Sequence, residues 1–274
     1  MQCEAVRFDL PGITLTGIAG GSGPLALLFH GITANSWVFQ PVIERLSGQF
    51  RALSLDQRGH GGSGKPAGGY AGEDFAADIA ALVRHLDGGP ALLIGHSLGA
   101  RNALIAGVRY PELVAGVVAI DFTPFIEQRV FDDLQARVNG GDRVFDDVAA
   151  VKTYLADRYK RLPPDAIDRR ARHGYASVSA GLAPLADPKA MSMTAEGLRE
   201  DLEPALKAIQ VPVLLMRGAD SALVSPAAWS RSRALRPDIP AVEIKAADHY
   251  VPEEVPEAVV AEIDRFWNSI RRQK

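Results

Sequence analysis

Apolar positions along this chain fall into short unbroken runs, separated by longer stretches in which they recur every three or four residues. Leu25–Phe29, Ala52–Leu55, Ala91–Ile94, Gly116–Ile120 and Pro212–Met216 are such runs, with a half-polar one at Ala241–Lys245. Strands buried on both faces of a parallel sheet have this form. Ahead of them, Ala5–Asp9 and Ile13–Ile18 alternate around Pro11-Gly12, which predicts an antiparallel hairpin. Helical spacing covers about Ser36 to Leu46, with Asn35 or Ser36 as the N-cap, and then Glu73–Leu86, Ala100–Val108, residues near 226–235, and Pro256 to about Arg271. Strands alternating with helices predict an α/β fold, a mostly parallel eight-stranded sheet with helices on both faces.

From Phe122 to about Gln210 the pattern changes. Charged segments of helical period lie around 127–138, 143–160 and 164–173, broken by Pro163-Pro164 and Pro184, and no strand is expected among them. This stretch is read as a helical cap, residues 122–210, inserted after the sixth strand into a core made of residues 1–121 and 211–274.

Composition narrows the function classes. Of 274 residues 47% are hydrophobic, enough for a large core. A net charge of −3 makes no electrostatic case for nucleic acid or an anionic membrane. The single cysteine, Cys3, excludes an internal disulfide or a thiolate metal cluster. No basic segment followed by an apolar stretch opens the chain, and no run is long enough to span a bilayer. The expectation is a cytoplasmic protein acting on small molecules.

In open α/β sheets ligands gather at the carboxyl ends of the strands. His30-Gly31, Asp56, Ser97, Asp121, the turn after Met216 and His249 all fall there by this reading. Gly95-His96-Ser97-Leu98-Gly99, between a strand and a helix, has the form of a nucleophile elbow, in which a sharp turn exposes the serine. A serine needs a base to take its proton. Of the six histidines, His85 and His173 read as surface residues, His96 as pointing away from its neighbour, and His30 and His60 as holding loops. His249, in the loop before the last helix, remains as the base. Backbone amides of Leu98 and Ile32 are the expected oxyanion donors. The orienting acid is expected at Asp121 rather than Asp220. In α/β-hydrolases, which the elbow and the His30-Gly31 loop resemble, the acid usually stands three residues beyond such a glycine; after Gly218 Ser221 holds that place, so Asp220 falls one residue early.

These features, with Asp56-Gln57-Arg58-Gly59-His60-Gly61 and Asp248-His249, resemble the α/β-hydrolase family over nearly the whole chain. That family includes esterases, lactonases, amide hydrolases and C–C hydrolases, and the fold alone does not choose among them. A triad-retaining ligand receptor is the alternative of another class. A narrower resemblance lies in His30-Gly31-Ile32-Thr33-Ala34-Asn35-Ser36, the elbow through Arg101-Asn102, Val118 to Pro124, and Ala136-Arg137-Val138-Asn139. These stretches are similar to amide hydrolases of bacterial vitamin B6 degradation, which cleave a small dicarboxylate enamide. The resemblance implies release of acetate, ammonia, carbon dioxide and succinic semialdehyde without metal or cofactor, and an acid after strand six. It also implies that Arg137, Arg158, Tyr159 and Arg170 bind the substrate carboxylates. Arg137, Arg161, Arg169 and Arg172 each have an aspartate four residues earlier, a spacing that forms solvated helix-face pairs. Arg158 and Arg170 have none, which leaves them free for a ligand. Self-association is left open.

Overall fold

The computed structural model describes residues 3–139, 141 and 143–272. The chain begins with a hairpin, β1 (Glu4–Leu10) and β2 (Ile13–Gly20), followed by β3 (Leu25–Phe29). A single 3-10 turn at Ser36–Phe39 leads directly into helix α1 (Gln40–Leu46), and Asn35 Oδ1 caps the turn by accepting from Trp37 N at 2.9 Å. Next come β4 (Arg51–Leu55), α2 (Gly72–Leu86), β5 (Ala91–His96), α3 (Leu98–Arg109) and β6 (Val114–Ile120). The stretch that follows holds α4 (Gln128–Asn139), α5 (Val148–Arg158), α6 (Pro164–His173), the strands β7 (Tyr175–Val178) and β8 (Gly181–Pro184), α7 (Pro188–Gly197) and α8 (Glu203–Ala208). The chain then resumes β9 (Val213–Gly218), α9 (Pro226–Leu235), β10 (Ala241–Ile244), α10 (Val251–Glu254) and α11 (Pro256–Arg271).

Eight strands form one sheet in the order β1-β2-β4-β3-β5-β6-β9-β10, parallel from β4 onward and antiparallel where β2 meets β1 and β4. Every residue of β3, β5, β6 and β9 is buried, which is why these strands are continuous apolar runs rather than alternating ones. One apolar layer joins the sheet to α2, α3 and α9 through residues such as Leu27, Leu93, Ala103 and Trp229. The other joins it to α1 and α11 through Leu28, Ile94, Ile43 and Ile263. None of the described helices is long and apolar enough to cross a membrane.

The inserted stretch departs from expectation in two ways. It is not wholly helical: β7 and β8 form a small antiparallel hairpin, and Leu182 also bridges Phe145. Its strand residues are only partly buried or exposed, so they carry no apolar alternation by which a strand is recognised. Its last part also returns to the core layers. Leu206 and Ile209 pack in the same apolar layer as α3, so α8 lies against that core helix. Two separate apolar clusters, one around Leu98, Val138 and Met191 and the other around Val151, Tyr159 and Ile167, hold the rest of the insertion.

Candidate active site

The turn from β5 into α3 is possible only with glycine on both sides of the serine. A Cβ on Gly95 would stand 2.2 Å from Gly99 O, and one on Gly99 would stand 2.0 Å from Phe29 O. Both are backbone atoms that cannot yield. Ser97 itself takes φ 53° and ψ −114°, a conformation costly for a residue with a side chain. Its amide donates to Ile120 O at 2.9 Å, which ties the turn to β6. Ser97 lines a cavity of about 870 Å³ together with Ile32, Leu98, Asp121, Arg137, Arg158, Tyr159, Arg170 and His249. The structure thus gathers all nine residues expected at the site around one space.

At the end of β6, Asp121 is fully buried and lies at φ 48°. Its Oδ2 stands 2.7 Å from His249 Nδ1 and accepts from Ser221 Oγ at 2.7 Å; its Oδ1 accepts from Gly218 N at 2.9 Å. A carboxylate so placed fixes the imidazole with its proton on Nδ1 and leaves Nε2 as the basic nitrogen. Among the described residues neither His249 Nε2 nor Ser97 Oγ has a hydrogen-bond partner. Asp220 is turned outward and pairs with Arg161 at 2.9 Å, half exposed. Its early position in the turn separates it from the histidine.

The loop after β3 is held by two neutral histidines. His30 Nδ1–H donates to Gly31 O at 2.7 Å, and its Nε2 accepts from Gln57 N at 3.1 Å. A trans peptide points its C=O and N–H in opposite directions. Anchoring Gly31 O, which also accepts from Ala34 N at 3.2 Å, therefore aims the Ile32 amide the other way. Neither the Ile32 nor the Leu98 amide has a protein acceptor among the described residues. His60 accepts from Thr33 N at 3.2 Å and donates to Arg58 O at 2.9 Å. Burial, reinforced by nearby His30, lowers its pKa to about 3. Behind them, Gln57 donates to His30 O at 2.6 Å and accepts from Asn102 at 2.7 Å, which joins this loop to α3.

His96 corrects an expectation. Expected only to point away from Ser97, its ring nevertheless lines the cavity, 4.7 Å from the His249 ring centroid, and its Nε2–H donates to His249 O at 2.7 Å. Burial first, and the neighbouring His249 second, hold it well below the usual histidine range. It thus braces the loop that carries His249, a role no local pattern signals because its partner is 153 residues away. His173 is not a solvated surface group either, since it stacks on Trp37 with centroids 3.6 Å apart. His85 is exposed and packs edge-on against Phe8.

The basic wall comes from the insertion. Arg158, at the end of α5, is half-buried and among the described residues bonds only phenols, Tyr159 Oη at 3.2 Å and Tyr154 Oη at 2.9 Å. No carboxylate lies within ion-pair distance of it among the described residues. Arg170, expected to be free, is not. Its Nε donates to both oxygens of Glu253 at 2.9 and 3.1 Å, and its Nη2 donates to Oε2. Glu253 was invisible to a search for acids three or four residues away because it lies 83 residues along the chain. Burial works against the charge of Arg170, but Glu253 outweighs it and pushes the pKa above the ordinary arginine value. Its guanidinium also lies over the rings of Tyr159 and Tyr250, at 4.7 and 5.0 Å. Arg137 makes no pair with Asp133 among the described residues; it lines the main cavity and a second one of about 720 Å³, which shares Arg158, Tyr159 and Arg170. Of the other expected helix-face pairs, Arg169–Asp165 and Arg172–Asp168 form, at 3.1 and 2.6 Å, while Arg161 turns to Asp220.

This chain belongs to the α/β hydrolase fold family, whose model matches residues 24–256. It is similar to the 2-(acetamidomethylene)succinate hydrolase of Mesorhizobium japonicum, 53% identical over 260 residues that cover 95% of this chain and 94% of the relative. A crystal structure of E-2-(acetamidomethylene)succinate hydrolase superposes with a TM-score of 0.95 at 52% identity, covering 97% of this chain and all of that one. The enol-lactonase from Burkholderia xenovorans LB400 is similar in fold alone, with a TM-score of 0.76 and 22% identity over 96% of this chain and all of that one.

Proposed function

We propose that the protein hydrolyses (E)-2-(acetamidomethylene)succinate through an acetyl-enzyme, with the inserted stretch from residue 122 to the end of α7 as a cap over the site and α8 packed on the core. The observation that carries this reading is a half-buried arginine, Arg158, which among the described residues bonds only phenols and lines the same cavity as Ser97. A cation left without a carboxylate in a partly desolvated place is suited to one supplied by a ligand. The likeness to the Mesorhizobium enzyme over 95% of the chain supports the same substrate.

In this mechanism His249 takes the proton of Ser97 Oγ as the oxygen attacks the acetyl carbonyl. The Ile32 and Leu98 amides donate to the oxyanion, and Asp121 stabilises the imidazolium. His249 then gives its proton to the leaving enamine nitrogen. A water molecule, deprotonated by His249, releases acetate and regenerates the serine. The freed enamine hydrolyses to ammonia and an aldehyde, and loss of carbon dioxide gives succinic semialdehyde. Arg137, Arg158, Arg170 and Tyr159 hold the two carboxylates through acylation, until the enamine that carries them leaves.

The test is to incubate the purified protein with the enamide and quantify all four products, alongside an uncharged acetyl ester. Stoichiometric acetate and succinic semialdehyde are expected, with strong preference for the dicarboxylate. Efficient ester cleavage without enamide turnover would favour an esterase instead.

A further inference from the structure

Resting on the reading that Arg170 meets a substrate carboxylate, we propose that Glu253 is a positioning residue for substrate binding, selecting which edge of the Arg170 guanidinium faces the cavity. A guanidinium offers two edges for a carboxylate, one made by Nε and one Nη and the other by the two Nη atoms. Glu253 occupies the first edge, taking both Nε and Nη2. The second edge, with Nη1, keeps no protein partner among the described residues, and Arg170 lines the main cavity. Glu253 does not line that cavity. It borders a surface cleft with Asp165 and Arg169, so it approaches Arg170 from behind.

Burial excludes a casual contact. The Glu253 side chain is 3% exposed and that of Arg170 9%, and among the described residues the carboxylate has no other partner to satisfy it. Such a pair is weak evidence for a stabilising latch, because desolvation offsets most of the attraction between its charges. Its geometric effect is larger. With Nε pinned and the plane held over Tyr159 and Tyr250, the guanidinium cannot rotate its Nη edge away from the cavity.

The test compares Glu253→Gln with the unaltered protein on the dicarboxylate enamide and on an uncharged acetyl ester. KM for the dicarboxylate should rise on the order of 10- to 100-fold as the fork is released. On both substrates kcat should stay within about threefold, and KM for the ester should not move. In an Arg170→Gln background, Glu253→Gln should add no further rise in KM. Glu253→Asp, which keeps the charge on a shorter arm, serves the same comparison if the glutamine variant does not fold. Equal losses on both substrates, an unchanged dicarboxylate KM, or a full additional loss in the Arg170→Gln background would each overturn the proposal. Failure of the unaltered protein to turn over the enamide removes the functional reading and this inference together. Turnover with equal losses removes the inference alone.

Discussion

The strand-end edge of the core and the basic wall of the insertion face one cavity but are built by different means. On the edge, backbone geometry sets each functional atom. Two glycines force the elbow, an anchored carbonyl aims the Ile32 amide, and the ends of β6 and β9 bring Asp121 and Ser221 together. On the wall, side chains of α5 and α6 are aimed by other side chains, Arg158 by two phenols and Arg170 by Glu253. On the proposed function, the edge is generic to acyl transfer and the wall chooses a particular substrate. Mutations should therefore separate into losses of turnover regardless of substrate and losses confined to a charged one.

The largest effect falls on the edge. Ser97→Ala and His249→Ala should each lower kcat by on the order of 10⁶, and the double variant should be scarcely worse than either, because nucleophile and base act as a unit. Single-turnover mass spectrometry should detect an acetyl group on Ser97 in the unaltered protein and none in Ser97→Ala. A double variant far below both single ones would break the unit. Next is the acid: Asp121→Asn should cost on the order of 10⁴ in kcat. Asp220→Asn removes only an exposed ion pair with Arg161, worth about 0–1 kcal/mol of stability, and should leave kcat nearly normal. The reverse pattern would reassign the orienting acid.

On the wall, Arg158→Ala should weaken kcat/KM for the dicarboxylate by about 2–5 kcal/mol while changing that for an uncharged acetyl ester little. Equal loss on both would mean that the wall supports the fold and does not read the substrate. The last effect is on stability rather than turnover, and it depends on pH. His60 titrates near 6.5 when exposed and at about 3 in its buried place. Between those values the unfolded chain binds more protons than the folded one. The stability that neutral His60 contributes is fully present above pH 6.5 and is lost as the pH falls toward 3. The slope is about 1.4 kcal/mol per pH unit. Denaturant midpoints across this range should fall with pH, and His60→Gln should flatten the slope.

The same contrast explains what was legible in the sequence. The eight strands, the elbow and the positions of Asp121 and His249 follow from local signals: apolar runs, glycine spacing and chain order. The hairpin of β7 and β8 carries no such signal, because partly exposed four-residue strands need no alternation. Nor do the partners of Arg170 and His96, which arrive from 83 and 153 residues away. His96 is instructive, since its place beside the serine suggested only a ring pointing away from that serine, with no partner. The elbow turns so sharply that this ring meets the His249 loop.

One further consequence lies in Ser221. It holds the place, three residues past Gly218, where a carboxylate usually serves, and its hydroxyl donates to the carboxylate on the neighbouring strand at 2.7 Å. The two arrangements are thus one hydrogen bond apart, and an ancestral chain need not have lost its base to pass between them. Ser221→Asp alone would set two negative charges against each other, whereas Ser221→Asp with Asp121→Ser exchanges donor for acceptor across the same contact. If that exchange retains more turnover than Asp121→Ser alone, the migration of an acid between strands becomes a two-step path.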